Sequence, residues 1–408
     1  MNYSFANRIE TLTGSVLREN AKKRQTNTQL ISFAYGYPSV QAFPMETLGK
    51  ISEKLYTKID PETFLQYGAT EGDGRLRQLI AARLRNTVDI QVKEDPLIVS
   101  GSTQAIDLVI KTLCNEGDIV LCEAQTFSGA VNAIKSYGAI PKAIPFDVEE
   151  QSMDLAYLEK TLAQDHEHKI KLIYVIPTFQ NPLGTSMPLE RRQALYALAC
   201  QYDVLILEDD PYGDLLYTGK AIPKIKSLDD EERVIYAGSF SKILAPSTRL
   251  GFIVAPTPIF DKLVLVKQTT DSHTNFYWQV MLAEFMQYYA FEAHVETLKQ
   301  LYARQAKLMM SGLQACPSDL LTVIEPTGGY FICCHLTEQV DPLRFYDYLE
   351  THGLAIIHGN IMSVSGKGYD RYFRLNFTKP SPKEIQQGCR IIQNALIDAS
   401  VYTQPVSV

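Results

Sequence analysis

The chain has 408 residues, 46% of them hydrophobic, and a formal net charge of -7. It is long enough to bury a large core in more than one structural unit, and its acidic balance argues against nucleic acid or an anionic membrane surface as partner. Seven scattered cysteines, an odd number without a C-x-x-C pair, argue against a disulfide framework or a zinc site and fit a reducing compartment. The opening MNYSFANRIETL lacks a basic stretch followed by an apolar one, and no uncharged apolar run reaches membrane-spanning length. A cytoplasmic protein with small-molecule partners is expected, with no nucleic acid and no membrane.

Along the chain, residues 47–86 read as helical around a turn, with Leu76, Leu79, Ile80 and Leu84 on one face after the break Glu71-Gly72-Asp73-Gly74. From Pro96 to Pro256 short apolar runs at 97–99, 119–122, 143–145, 171–176, 204–207, 234–236 and 251–254 alternate with helical stretches. Such alternation predicts an α/β fold with a mostly parallel seven-stranded sheet covered by helices on both faces. Runs such as LIYVI and VLILE are apolar throughout, as strands buried on both faces should be. A helical stretch from 275 to about 314 leads to a second, smaller α+β unit built on TVIEPTGGYFICCHL, GLAIIHG and YFRLNFT. The expected units are an N-terminal segment, 1–45, packing on the small unit and the active site, a large unit, 46–290, and a small unit, 291–408. The triplet His166-Glu167-His168 lies among charged neighbours and reads as a solvated loop rather than a metal site.

In such a sheet, function gathers in loops at the carboxyl ends of the strands. The distinctive polar residues fall there. Lys242, in Ser239-Phe240-Ser241-Lys242 with Arg249 seven residues on, joins two hydroxyls and a guanidinium to a potentially nucleophilic amine. A phosphate dianion next to an imine-forming lysine is the need they share, and pyridoxal 5'-phosphate is the cofactor that meets it. That cofactor requires a carboxylate facing its pyridine nitrogen, and Asp209 in EDDPYGD is the candidate. Glu208-Asp209-Asp210 reads equally as an acidic loop by composition, but its place after VLIL argues for burial, and a buried carboxylate needs a partner. Tyr212 and Asn181 can donate to the ring's phenolic oxygen, although Asn181-Pro182-Leu183-Gly184 alone reads as a turn. Gly101-Ser102-Thr103 opens a helix, so it is an N-cap or an anion site; a purpose shared with Ser239, Ser241 and Arg249 favours the anion. Phe127, which closes the run IVLCEAQTF, is placed to stack on a ring, or belongs to the core.

LQYGATEGDGRLR, SGSTQAIDL, PTFQNPLGTSMPLERR, EDDPYGDLLY, SFSKILAPSTRLGFIVAP, EPTGGYF and YFRLNFT together resemble the fold-type I pyridoxal-phosphate aminotransferases of class I/II. The resemblance covers nearly the whole chain and is nearest to the 2-aminoadipate/kynurenine and multi-substrate subgroup, which is similar in turn to the effector domain of MocR-type regulators. It implies that Lys242 bears the cofactor and shuttles a proton, that Asp209 faces the pyridinium, and that Asn181 and Tyr212 serve the phenolic oxygen. Phe127 matches the stacking aromatic. Ser102, Thr103, Ser239, Ser241 and Arg249 match the phosphate cup, and Tyr67 matches a tyrosine that reaches the phosphate of the other subunit. Arg374 matches the arginine that holds the substrate α-carboxylate, with Tyr35, Gly36 and Asn181 beside the substrate. A homodimer with shared active sites is implied.

Departures bear on substrate choice. Tyr35-Gly36-Tyr37-Pro38 stands where the family commonly has Gly-Gly-Leu-Pro, His358-Gly359 where it has Pro-Gly, and Met362 where an aromatic is common. Thr103 replaces a frequent glutamine, and Thr11 falls where dicarboxylate-preferring relatives place an arginine, with Arg8 one turn earlier. The reaction implied is ping-pong transamination from an aromatic, branched-chain or aminoadipate-like L-amino acid to a 2-oxo acid, 2-oxoglutarate foremost. The rival readings are β-elimination or decarboxylation on the same machinery and a ligand-sensing domain. Only about thirty residues precede the core, too few for the regulators' DNA-binding part.

Overall fold

The structure, a computed structural model, describes residues 3–10, 12, 14, 30–147, 149–398 and 401–402. Thr11 and residues 15–29 of the N-terminal segment therefore fall outside the described residues. The large sheet has seven strands: β1 (Leu97–Val99), β2 (Ile119–Glu123), β3 (Ile140–Ile144), β4 (Ile170–Val175), β5 (Leu205–Asp210), β6 (Val234–Ser239) and β7 (Gly251–Val254). Their order is β1-β7-β6-β5-β4-β2-β3. The run β3-β2-β4-β5-β6 is parallel, whereas β7 is antiparallel to both its neighbours. The cause lies in the connection: a parallel crossover needs a helix-length segment, and between β6 and β7 only residues 240–250 intervene, so the chain turns back. That short return carries both Lys242 and Arg249.

Alternation along the strands divides the sheet's side chains between two cores. Val120, Leu172, Tyr174 and Leu207 pack with the helices Ser102–Leu113, Ser128–Ser136 and Thr257–Gln268. Leu121, Ile173, Val175 and Ile206 face the opposite way, onto Leu155–Ala163 and Leu189–Gln201. The strand expected at 143–145 lies at 140–144 instead. It is one of the sheet's two edge strands, with an exposed-then-buried pattern and Pro141 inside it, so it lacks the continuous apolar run by which its neighbours are read. The single helix expected from 275 is two, Phe276–Tyr288 and Phe291–Leu313, separated at Ala290 by a left-handed residue with φ of 48°.

The smaller sheet contains β8 (Leu321–Val323), β9 (Phe331–Leu336), β10 (Ile357–His358) and β11 (Tyr372–Asn376), in the order β8-β9-β11-β10. Helices Pro342–Thr351 and Pro382–Ile397 belong to the same region. Ile31–Ser32 pairs in parallel with Leu354–Ala355, which ties residues near the start of the chain to this unit. Two further ties join the units across the site: Thr126 N–H donates to the Met362 carbonyl at 2.8 Å and Val364 N–H to the Ala124 carbonyl at 2.9 Å. No helix among the described residues is long and apolar enough to cross a membrane.

Candidate active site

The carboxyl ends of the parallel strands surround a cavity of about 190 Å³. Ser102, Thr103, Phe127, Asn181, Asp209 and Tyr212 line it from successive loops, and Ser239, Ser241, Lys242 and Arg249 close it from the β6–β7 return. A larger cleft of about 790 Å³ lies behind loop 178–186, but the smaller cavity is the one that gathers an amine, a carboxylate and an anion cradle.

Lys242 is held at the centre. Its Nζ donates to the Gly36 carbonyl at 2.7 Å, and Tyr330 Oη donates to the Lys242 carbonyl at 3.0 Å. The Nζ lies 5.8 Å from the Tyr212 ring centroid and 5.3 Å from that of Tyr330. Burial, with Arg374 and Arg249 adding repulsion, lowers the amine to about 8. A lysine so placed is uncharged far more often than a surface one and is correspondingly nucleophilic.

Asp209 is buried at the end of β5, on the face shared with Tyr174 and Leu207. Tyr174 Oη donates to its Oδ2 at 2.7 Å, while Oδ1 has no partner among the described residues. Burial raises it from 3.8 to about 7, with Asp210 adding to the rise. Glu208 and Asp210 point to the opposite face. Glu208 accepts from the Ile225 and Lys226 N–H groups at 3.1 and 2.8 Å, and Asp210 pairs with Lys224 at 2.5 Å. The triplet is therefore not a solvated acidic loop.

The anion cradle is assembled from two loops. Helix Ser102–Leu113 begins after Gly101, which adopts φ 81° and ψ 166°, and the first N–H groups of such a helix have no partner within it. A Cβ on Gly101 would stand 2.5 Å from Arg249 Nη2, so glycine is what allows the guanidinium to lie against the helix start. Arg249 Nη2 donates to the Ser100 carbonyl at 3.0 Å and Nη1 to Ser241 Oγ at 3.3 Å. Ser239 Oγ accepts from the Ser241 N–H at 3.2 Å, which draws the second loop together.

Arg374, on β11, is fully buried behind the cavity. Its Nη1 donates to Asn181 Oδ1 at 2.7 Å and its Nη2 to the Ala34 carbonyl at 2.6 Å; its plane lies over Phe331, 4.1 Å from the ring centroid. Nε has no partner among the described residues, and burial lowers the group to about 10. Tyr212 stands 5.4 Å from the Tyr330 ring. Tyr35 is buried behind Tyr37, and Tyr37, not Tyr35, reaches the cavity wall beside Gly36. Tyr67 stands apart from the cavity: it is 85% exposed, its ring edge-on to His273 at 5.8 Å.

Three groups escaped the sequence reading. Tyr174 looks like core within an apolar strand. Glu123, at the end of β2, accepts from the Ile176 N–H at 3.1 Å and from Gln180 Nε2 at 3.2 Å, fixing the start of the loop that carries Asn181; burial raises it to about 8. The third is a network behind the cradle. Gln104 Oε1 accepts from the Ser100 N–H at 2.6 Å, Gln104 Nε2 donates to Asp271 Oδ2 at 2.7 Å, and the fully buried Lys267 pairs with Asp271 Oδ1 at 2.6 Å. The four-residue spacing of Lys267 and Asp271 near a helix end was the available signal.

The sequence profile of the family "Aminotransferase class I and II" matches residues 34–392. An aromatic-amino-acid aminotransferase of Thermococcus litoralis is 35% identical over 387 residues, 95% of this chain and 92% of the relative. Among solved structures, a kynurenine aminotransferase of Pyrococcus horikoshii superposes with a TM-score of 0.90 at 34% identity, covering 96% of both chains. An alpha-aminoadipate aminotransferase of Thermus thermophilus, complexed with N-(5'-phosphopyridoxyl)-L-leucine, does so with a TM-score of 0.86 at 30% identity, covering 96% of this chain and 97% of its own.

Proposed function

The chain belongs to the class I and II aminotransferases and is a pyridoxal-phosphate-dependent enzyme; we propose that it passes the amino group of an L-amino acid to 2-oxoglutarate or a similar 2-oxo acid in ping-pong order. The donor side chain is aromatic, branched-chain or aminoadipate-like. One observation carries the assignment of roles: a single cavity brings Lys242, Asp209 and the Arg249 cradle together.

The residues fit the cofactor. The buried Asp209 Oδ1 is an acceptor without a protein donor among the described residues, as a partner for a pyridinium N–H should be, and the start of helix Ser102–Leu113 with Arg249, Ser239 and Ser241 suits a phosphate. Phe127 lines the same cavity, in reach of a planar ring. Bound pyridoxal phosphate supplies the electron sink that makes a Cα–H bond of the amino acid acidic. Lys242 Nζ holds the cofactor, takes the Cα proton and returns it, for which a pKa lowered by burial is suited. Arg374 orients the donor through its α-carboxylate, and Asn181 fixes Arg374 while facing the cavity. Tyr212 and Asn181 serve the phenolic oxygen.

We infer in addition a homodimer in which Tyr67 completes the partner's phosphate site; its 85% exposure, beside exposed Leu65 and Tyr56, supports this. A cytoplasmic location and a division near residues 45 and 290 complete the reading.

The test is Lys242→Ala. Proton transfer and covalent attachment are lost together, so kcat is expected to fall by at least roughly 10³-fold while the cofactor still binds, more weakly. Turnover within tenfold of the parent would refute the role of Lys242. Donors are screened by the change in cofactor absorbance with and without 2-oxoglutarate; pyruvate and ammonia appearing without an acceptor would instead indicate elimination.

A further inference from the structure

At the mouth of the site an aromatic arrangement remains that none of these roles uses. Tyr35-Gly36-Tyr37 runs between Lys242 and the small sheet. Gly36 offers its carbonyl to Lys242 Nζ at 2.7 Å, and Tyr37 offers its own to Thr378 Oγ1 at 2.8 Å. Thr378 is held in turn by Asn376 Nδ2 at 2.9 Å, so the backbone is pinned on both sides of the Tyr37 side chain. A Cβ on Gly36 would meet Phe331 Cζ at 3.1 Å, which sets how closely the segment can lie on the small unit.

The Tyr37 ring is fixed as well. It lies nearly parallel on buried Tyr35, with centroids 5.1 Å apart and planes at 16°, and Lys379 Nζ stands 5.0 Å from its centroid and 6.0 Å from that of Tyr35. Stacking and a cation over the rings restrict a side chain that is otherwise 44% exposed. A rigid aromatic surface thus borders the cavity that holds Lys242. Such a surface binds without first being ordered, which removes a cost that a mobile side chain would impose.

We propose that Tyr37 is a specificity-determining residue: its ring forms one wall of the donor side-chain subsite and favours amino acids and 2-oxo acids with planar aromatic side chains over aliphatic ones. This rests on the aminotransferase reading and deepens it by choosing among donor classes. An aliphatic side chain buries area against the ring, but an aromatic one adds the edge-on or offset ring–ring attraction, which amounts to about tenfold in affinity.

The experiment follows the half-reactions of the holoenzyme with phenylalanine and with leucine by cofactor absorbance. Tyr37→Leu is expected to lower the ratio of kcat/KM for phenylalanine to that for leucine about tenfold, equivalent to about 1.4 kcal/mol. Tyr37→Phe, which keeps the ring, is expected to leave that ratio within about twofold of the parent. The cofactor absorbance band and melting temperature of each variant report that the site is intact. An unchanged ratio in Tyr37→Leu overturns the proposal but leaves aminotransfer standing, whereas failure of the parent to convert any donor overturns the aminotransferase reading itself. A selective loss of 2-aminoadipate in Lys379→Met, with phenylalanine unaffected in Tyr37→Leu, also overturns it and assigns the mouth to a dicarboxylate.

Discussion

Replacing Gly101 by alanine tests the anion cradle in a way that separates folding from binding. With φ 81° and ψ 166°, Gly101 occupies a region essentially confined to glycine, where an L side chain costs about 1–3 kcal/mol. The added Cβ would also stand 2.5 Å from Arg249 Nη2 and 3.0 Å from its Cζ, so the guanidinium must withdraw from the Ser100 carbonyl and Ser241 Oγ. A lost charge-assisted contact to a phosphate costs about 1.5–3 kcal/mol, or about 10- to 150-fold in affinity. The backbone cost appears in the cofactor-free chain as a lowered melting temperature, and the contact cost as a raised dissociation constant for pyridoxal phosphate. Titration of the cofactor into parent and variant, with parallel melts of both cofactor-free chains, measures the two separately. A dissociation constant within about twofold of the parent, alongside a lowered melting temperature, would refute the placing of the phosphate between Gly101 and Arg249.

Two further outcomes follow from the buried charges. Asp271→Leu leaves the fully buried Lys267 without its carboxylate and Gln104 Nε2 without its acceptor, so a lower melting temperature and a cofactor dissociation constant raised about three- to tenfold are expected; adding Lys267→Met should recover stability but not affinity, and recovery of both would reduce the network to a stabilising one. Asp209 and Glu123 have folded values near 7 and 8, above their ordinary 3.8 and 4.5, so between about pH 4 and 8 the folded chain binds more protons than the unfolded one. Stability of the cofactor-free chain therefore falls as pH rises through that window, by roughly 4 kcal/mol at most for Asp209 at about 1.36 kcal/mol per unit. Melts from pH 5 to 8.5 should show the fall, and Asp209→Asn should make it shallower, leaving the part due to Glu123; an equally steep fall in that variant would refute the burial argument.

The parts of the fold that could be read from sequence are those in which burial leaves an unbroken pattern. LIYVI and VLILE are apolar throughout because β4 and β5 are covered on both faces, whereas β3, at an edge, alternates exposed and half-buried residues up to Ile144 and does not follow its neighbours' rule. The break at Ala290 has no glycine or proline to announce it; it is followed by Phe291, whose ring packs against Phe285 across the break and against Phe240 of the β6–β7 return, a residue too distant in sequence for periodicity to connect. The site divides in the same way. Ser102, Asn181, Asp209 and Lys242 were legible because each is a polar residue where an apolar strand stops. Tyr174 was not, since a tyrosine inside such a strand has the composition of core, and the bond from its hydroxyl to Asp209 spans 35 residues.

Glu208-Asp209-Asp210 shows how a local ambiguity is settled by geometry. Three consecutive carboxylates suggest solvent, yet all three are buried, and an alternation of period two sends the middle one to the opposite face from its neighbours. Each burial must be compensated. Glu208 is compensated by two backbone N–H groups, and Asp210 by Lys224 and the Tyr236 hydroxyl at 2.7 Å. Asp209 has the Tyr174 hydroxyl alone, and no cation is paired with it among the described residues, which is why its pKa stands near neutrality. A carboxylate kept in that condition at the floor of a cavity is matched to a cation supplied by a ligand, and the protonated pyridine nitrogen of pyridoxal phosphate is such a cation.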